Sequence, residues 1–435
     1  MTSPCFYSTG FGPCADSSRP QLPGSAADPQ HIRLAAFQSM EGRGGKANGL
    51  HLSGKPPYAL AWTGRVTVVP NARVHRTRRG EDDINAAPRT SQDFNLLLEH
   101  ELQASIVQLE GDAPMMARMA RFHLGWIEST GEPTAEDVRQ SVQGKRIRPH
   151  LAFLCCAAAG GGPKLAAPLA AAIELLHNFT LIHDDIQDRS PNRRHRATVW
   201  RIWGDAQAIN AGDALFAIAQ RALLRTDTAH VPPETLIRLL DEFNRMTIEV
   251  VRGQVLDLEF EGSTTVTPAD YLAMIAGKTA AIVRYAAWAG AIVGGASEST
   301  AHQLGEFGKA LGIGFQLRDD VLGIWGSHEE TGKDRADDIR RRKKSLPILM
   351  LFDRIQGEDA ERLEEIYRAD ETDESGVVDI LRLLESHGIE SAATDQVSHY
   401  HQAASESLGR VLGELPDITA QALSQLVARL ETRNS

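Results

Sequence analysis

The sequence predicts an all-α protein, a bundle of about ten or more helices around a central cavity. Three observations carry this expectation. From Ser91 onward apolar residues recur at helical steps, beginning with Phe94, Leu97, Leu98, Leu102 and Ile106. Long Ala/Leu-rich segments then follow one another with only short interruptions. The alternation of β-branched and polar residues that marks strands is nearly absent, and no internal repeat is evident.

Residues 1–90 differ from the rest. They are rich in Gly, Pro and Ser and hold no sustained helical period. Ten Lys/Arg stand against three Asp/Glu through Gly80, so this stretch is net +7 and the remainder −18. Such a composition buries too little apolar surface to offset ordering entropy, so a disordered N-terminal extension is expected, with a strand-like piece at Ala59–Val69 as the exception. An Arg-rich, acid-poor start also suits an organelle transit peptide, a partner-docking tail or a wrongly assigned start codon. It lacks the continuous apolar stretch of a secretory signal.

A helical domain is expected over 91–435, opening with Ser91 as N-cap. The longer helices are expected at roughly 145–159, 165–188, 206–225, 233–261, 267–295, 299–325, 345–356 and 390–411. Pro233, Pro268 and Pro347 fall near helix starts, where the missing N–H costs little. A chain of 435 residues with 42% hydrophobic content can bury a sizeable core. Its four cysteines, Cys5, Cys14, Cys155 and Cys156, show no zinc spacing and no disulfide framework, which suits a reducing, cytoplasmic setting. No run reaches the roughly 18 uncharged apolar residues of a membrane-spanning helix.

Two acidic clusters far apart in sequence point to the chemistry. Asp184-Asp185-Ile186-Gln187-Asp188 and Asp319-Asp320-Val321-Leu322-Gly323 each follow an apolar run. Asp184 and Asp188 are four apart, so they share a helix face and repel unless a cation lies between them. Carboxylates without His or Cys partners are hard oxygen ligands and suit Mg²⁺, which keeps waters and bridges to phosphates. Cations surround the clusters: Lys145, Arg146 and Arg148; His177, seven residues before Asp184; Arg193 and Arg194; Lys278; Lys333; and the run Arg340–Lys344. Arg offers phosphate a planar fork and Lys a point charge. Alone, the run at 340–344 also reads as a nucleic-acid patch or solvated turn, but a net charge of −11 argues against a general nucleic-acid binder.

In order and spacing these motifs resemble the trans-isoprenyl diphosphate synthases of the polyprenyl synthetase family. The resemblance runs from about Ser91 to the C-terminus. It rests on Gly144-Lys145-Arg146-x-Arg148-Pro149, Glu174-x-x-His177, Asp184 to Asp188, Arg193-Arg194, Asn210-x-x-Asp213, Gly253-Gln254-x-x-Asp257, Gly277-Lys278-Thr279, Gln316-x-x-Asp319-Asp320 and Gly332-Lys333 through Lys343. One departure is Gly323, where many relatives carry a third aspartate.

The resemblance implies the isoprenoid-synthase type of helical bundle, a homodimer, and head-to-tail prenyl transfer from an allylic diphosphate to isopentenyl diphosphate. Mg²⁺ would be held by Asp184, Asp188, Asp319 and Asp320, with Asp185 and Asp320 either direct ligands or supports. Arg193, Lys278, Thr279, Gln316, Lys333 and Lys343 would serve the allylic diphosphate. Lys145, Arg148, His177 and Arg194 would hold isopentenyl diphosphate without metal, and released pyrophosphate would take the final proton. In the family, Phe179 followed by the small Thr180 resembles geranylgeranyl-length enzymes, whereas two aromatics there resemble farnesyl-length ones. One helical turn of about 5.4 Å matches one isoprene unit, so Phe179 would floor the product tunnel above Ala171 and Ala172, with Phe216 a second plug. A class I terpene cyclase and a non-catalytic synthase subunit are the competing expectations. The isopentenyl group argues against the first and the intact aspartates against the second.

Overall fold

The apolar stripe that begins at Phe94 forms the first helix, α1 (Ser91–Ile106), with Leu98, Leu102 and Ile106 wholly buried. Each such side chain contributes about 1.5–3 kcal/mol, so the stripe fixes how α1 lies on its neighbours. The computed structural model describes residues 91–431 apart from 112, 264, 327–335 and 369–371. The expected extension and its strand-like piece therefore lie outside the described residues, and Ser91, expected as the N-cap, is instead the first residue of α1.

Short helices α2 (Pro114–His123) and α3 (Glu136–Gln143) lead into α4 (Ile147–Ala158) and α5 (Pro163–Gln187). A two-residue hairpin pairs β1 (Asn192–Arg193) with β2 (Arg196–Ala197). Then come α6 (Val199–Trp203), α7 (Asp205–Leu223) and α8 (Pro233–Gly262). Next, α9 (Pro268–Ile275) passes through a π turn at Ala276–Ala280 into α10 (Ala281–Val293), followed by α11 (Glu298–Trp325). The C-terminal part holds α12 (Asp337–Arg340), α13 (Leu346–Arg354), α14 (Glu358–Arg368), α15 (Glu374–Ser386), α16 (Ile389–Gly409) and α17 (Asp417–Glu431).

All eight long segments expected from the sequence are helical. Pro233, Pro268 and Pro347 each fall in a first turn. The segment 267–295 differs, because a π turn interrupts it between Ile275 and Ala281. The hairpin at 192–197 carries no alternation that could announce it, since each strand has two residues.

The site is positioned by α5 and α11. α5 packs on α4, α7 and α10, and α11 packs on α10, the π turn and α16. α5 is long and apolar enough to cross a membrane by length and composition, yet 72% of that apolar window is buried inside the bundle. Its run from Ala166 to Ala172 is buried throughout, and small side chains there let neighbouring helices approach closely. Cys155 and Cys156 are free and buried, and burial pushes the Cys156 thiol up to about 12 and Cys155 higher still, so both act as packing groups.

Candidate active site

α5 ends in the first acidic cluster. Asp184 and Asp185 lie on its last turn, and Asp188 caps it, donating its N–H to the Asp184 carbonyl at 2.8 Å. Asp185 is buried, and its Oδ1 accepts from Arg193 through Nε at 2.9 Å and Nη2 at 2.8 Å. Its Oδ2 is buried with no hydrogen-bond partner among the described residues. Burial raises the Asp184 carboxyl to about 6, with Lys278 opposing and the Asp188 and Asp257 charges adding to the rise. Asp188 is raised the same way, again against Lys278. The repulsion expected from their spacing is therefore present.

Lys278 comes from the π turn. α8 crosses there so closely that a Cβ on Gly253 would stand 2.7 Å from Lys278 Cα, which leaves glycine alone able to fill the position. The wide turn carries Lys278 towards α8, where Nζ donates to Asp257 Oδ2 at 2.5 Å. Single π turns inside helices concentrate at functional sites. The next residue, Thr279, donates to Gln316 Oε1 on α11 at 3.1 Å, and Gln316 Nε2 donates to Asp320 Oδ1 at 3.2 Å. One turn thus ties the first cluster to the second.

Asp319 and Asp320 have different surroundings. Asp320 is wholly buried and accepts from the Tyr271 hydroxyl, from Gln316, from Lys343 Nζ at 3.4 Å and from the Leu346 N–H at 3.4 Å. Asp319 is partly exposed and lies in the field of Arg148. Asp185 and Asp320 are buried and held by protein donors, and Asp184, Asp188 and Asp319 are more exposed to solvent.

Arg148 supplies the second bridge between the clusters. Its Nη1 lies 3.4 Å from His177 Nε2 on α5, and its Nε is buried without a partner among the described residues, so the guanidinium retains donor capacity. Burial, then Arg148, Arg194 and Arg193, hold His177 well below the usual imidazole range, so the ring is neutral. Arg194 folds back over Gly144 and donates to the Val142 carbonyl. It sits with His195 in the hairpin turn at φ 50° and 62°. Left-handed non-glycine residues cost roughly 1–2 kcal/mol each, a strain that folds tolerate at functional sites. Arg196, 4.4 Å over the Phe122 ring, anchors the hairpin. Lys145 is exposed on the loop entering α4, whereas Arg146 turns away to Glu99 at 2.9 Å.

Lys333 lies outside the described residues. The run at 340–344 is not a free cationic patch. Arg340 pairs with Glu374 at 2.9 Å, Arg341 acts on Asp188, Lys343 reaches Asp320, and Lys344 donates to the Phe260 carbonyl at 2.7 Å.

Among the described residues, the groups at the clusters that could ligate a metal are oxygens. The unpartnered Asp185 Oδ2 and Gln254 Oε1 add to the carboxylates of Asp184, Asp188 and Asp319, and Gln254 is held to Gln187 at 2.8 Å. Such a set fits Mg²⁺. Among the described residues no three acidic, His or Cys side chains form a ready cage. An ion here would complete its shell with water and phosphate oxygens, as Mg²⁺ does.

Beside this site, the Phe179 ring lies 5.4 Å from Phe216 of α7 and 4.8 Å, edge-on, from His183. Thr180 donates its hydroxyl to the His177 carbonyl at 2.8 Å, and Ala171 and Ala172 are fully buried. Two residues of the site had not been singled out. Asp257 belongs to a motif visible in the sequence, but its partner Lys278 is 21 positions away; Tyr271 and Asp320 are 49 apart, with nothing local to pair them.

A family model for polyprenyl synthetases matches residues 134–384. The chain is 37% identical over 345 residues to the (2E,6E)-farnesyl diphosphate synthase of Mycobacterium tuberculosis (strain ATCC 25618 / H37Rv), covering 78% of this chain and 92% of that one. It is 36% identical over 320 residues to the geranylgeranyl diphosphate synthase of the same strain, covering 73% and 87%. Among solved structures it resembles a polyprenyl synthetase from Streptomyces coelicolor A3(2), with TM-score 0.69, 35% identity and coverage of 78% and 98%.

Proposed function

This chain belongs to the polyprenyl synthetase family and is a prenyltransferase, and from that premise we propose that it makes geranylgeranyl diphosphate. The reaction is Mg²⁺-dependent, head-to-tail condensation of isopentenyl diphosphate with an allylic diphosphate. The observation that carries this reading is a pair of cations beside the carboxylates of α5 and α11: Lys278, which acts on Asp184 and Asp188 and precedes the Thr279–Gln316 bond to α11, and Arg148, which lies against His177 of α5 and in the field of Asp319. They define two cationic subsites around one set of open carboxylates, as two diphosphate substrates require.

Asp184, Asp188 and Asp319 would hold Mg²⁺, which when bound supplies positive charge to the diphosphate as it leaves. Arg193, bonded to Asp185, and Lys278, bonded to Asp257, both act on the charges of Asp184 and Asp188 and would receive the developing charge on the leaving oxygens. Lys343 would extend that group, and the resemblance assigns Lys333 the same role. Asp185 holds Arg193, and Asp320 holds Gln316 and Lys343, so we assign both a positioning role. Lys145, Arg148, His177 and Arg194 would hold isopentenyl diphosphate. There His177 stays neutral, so it adds a hydrogen bond without competing for charge.

The paired rings of Phe179 and Phe216 support a product floor one turn below the carboxylates, with Thr180 leaving lateral room. Farnesyl diphosphate is the second reading, favoured by the name of the relative at 37% identity. A homodimer, placed in the cytoplasm, completes the proposal. Ile237, Ile248, Val251 and Val255 form an exposed apolar stripe along α8 that a second copy would cover. Incubation with isopentenyl diphosphate, Mg²⁺ and each allylic primer, with chain-length analysis, tests the whole reading. A product no longer than the farnesyl compound from every primer would overturn the assigned length, and no condensation at all would overturn the reaction.

A further inference from the structure

Two buried polar atoms without a partner among the described residues belong to side chains that line one cavity, between the end of α2, α5 and the hairpin. One is Asp185 Oδ2, since both bonds from Arg193, through Nε at 2.9 Å and Nη2 at 2.8 Å, fall on Oδ1. The other is Nε2 of His123, the last residue of α2. The tautomer of His123 follows from its neighbour Asn178, which hydrogen-bonds the ring. The Asn178 amide donates to the Glu174 carbonyl at 2.8 Å and to Glu174 Oε1 at 3.2 Å, so both of its hydrogens are used and its Oδ1 accepts from the ring. Nε2 makes no bond, so the donor is Nδ1. Burial, with the Arg193 and Arg194 charges adding, keeps the ring neutral, and a neutral ring protonated on Nδ1 presents Nε2 as an acceptor. Two acceptors cannot bond each other, but a water can donate to both. The cavity leaves about 30 Å³ open to the centre of a water molecule, where one water needs roughly 10–15 Å³.

We propose that one water in this cavity donates to His123 Nε2 and to Asp185 Oδ2, and that His123 is thereby a positioning residue for the Asp185–Arg193 pair. Each hydrogen of the water meets one of the two acceptors. The side chains of Arg193 and Arg194 line the same cavity, so donors for the water oxygen are at hand. A buried carboxylate held through one oxygen can still turn about its Cβ–Cγ bond. A bond on the second oxygen stops that turn and fixes the direction in which Arg193 is presented. Leaving a buried carboxylate oxygen unpaired would cost more than ordering one water does. Asp185 Oδ2 then serves the cavity rather than a metal, in keeping with the positioning role assigned to Asp185 above. The effect on turnover rests on Arg193 serving the allylic diphosphate, as proposed above.

The bridge is tested on the full chain with Mg²⁺ and inorganic pyrophosphate, by ¹⁵N-histidine NMR and by a crystal structure that resolves ordered water. His123 is expected to carry its proton on Nδ1 near neutral pH, and a water is expected within hydrogen-bond reach of both acceptors. A ring protonated on Nε2, a cavity without water, or Asp185 Oδ2 bound to Mg²⁺ would overturn the bridge. The positioning role is read from separate KM values for the two substrates. His123→Leu keeps an apolar bulk and removes both ring nitrogens. It is expected to raise the allylic KM about three- to tenfold, with the isopentenyl KM within about twofold. His123→Gln, whose amide can donate to Asn178 and accept from the water, is expected to recover most of that loss. In an Asp185→Ala background His123→Leu is expected to add nothing. A merely structural histidine would lower the melting temperature in both variants and leave the allylic KM where it was. An unchanged allylic KM in His123→Leu, no recovery in His123→Gln, or a full further loss in the Asp185→Ala background would each overturn the role. Arg193→Ala separates this inference from the reading beneath it. If that change leaves the allylic KM unaltered, the assignment of Arg193 fails and the effect of His123 on turnover falls with it, while the tautomer and the water still decide the bridge.

Discussion

Lys278 donates to Asp257 across 2.5 Å, and this bond sets a cation from the π turn among three carboxylates, those of Asp184, Asp188 and Asp257. Without bound metal, Lys278 is the charge that most opposes the effect of burial on Asp184 and Asp188. In the proposed reaction the same ammonium would serve the leaving diphosphate. Lys278→Ala is therefore expected to raise the allylic KM and lower kcat, together by about tenfold or more, while the isopentenyl KM moves by less than about twofold. Steady-state kinetics with each substrate varied in turn checks this. Equal loss for both substrates would show that the two subsites are not divided as described.

Asp184 gives a prediction in which stability and activity move in opposite directions. Its carboxyl is raised from 3.8 to about 6, so the folded state holds the proton more tightly than the unfolded chain does. The cost of ionising it begins as pH rises past 3.8 and is complete above about 6, where it amounts to about 3 kcal/mol in metal-free protein. Asp184→Asn is expected to raise the metal-free melting temperature at pH 8, to change it little at pH 3.5, and to abolish turnover. It is also expected to blunt the stabilisation that Mg²⁺ gives the wild type. A less stable Asn variant at pH 8 would show that the carboxylate is not under strain there.

Histidines carry the opposite sign. Burial, with Arg193 and Arg194 adding, lowers His123 from 6.5 to about 3, and burial with Arg146 lowers His150 to about 4. Below pH 6.5 the unfolded chain takes up these protons and the folded chain does not, so stability falls as pH falls from 6.5 towards 4. His123→Gln is expected to flatten that limb of the melting curve. Melting temperatures taken across pH 4 to 7 in both proteins decide it, and parallel curves would rule His123 out as a cause.

Much of this was legible in the sequence because it is local. The helix period from Phe94, the prolines at 233, 268 and 347, and the i, i+4 pair Asp184 and Asp188 each need only a few neighbouring residues to be read. Division of labour within each cluster was not legible. Nothing near Asp320 distinguishes it from Asp319 until Tyr271, Lys343 and the Leu346 N–H arrive from three other segments. The π turn was hidden for a similar reason. It lies where Gly253 crosses Lys278, a contact between helices that no window of residues around 276–280 contains. The cations at 340–344 looked uniform in sequence and are dispersed in space because successive residues of a tight turn point in different directions.

For residues 1–90 composition alone supports a prediction. The Streptomyces coelicolor structure is matched over 98% of its length by 78% of this chain, so a substantial part of the chain has no counterpart there. Deleting residues 1–88 is expected to leave the melting temperature within a few degrees and turnover within about twofold. Aggregation or loss of turnover in the truncated protein would show that the segment packs on the helical domain.

Product length tests the pairing of Phe179 with Phe216, whose rings lie 5.4 Å apart on α5 and α7. In the proposed reaction a growing chain would leave the carboxylates along α5, where a turn of about 5.4 Å matches one isoprene unit. Phe179 is five positions from Asp184, and two turns further down the side chains are Ala171 and Ala172. Phe179→Ala is expected to open the floor and shift products longer by one or more units. Thr180→Phe is expected to raise it and shift them towards the farnesyl length. Opposite shifts separate a ruler from general damage, which would lower the rate and leave the distribution alone. Because the rings support each other, Phe216→Ala is expected to lengthen products too, but by less, since Phe179 keeps His183 against it at 4.8 Å. Product analysis of all three variants with one primer decides the matter. An unchanged product from Phe179→Ala together with a longer one from Phe216→Ala would move the floor from α5 to α7.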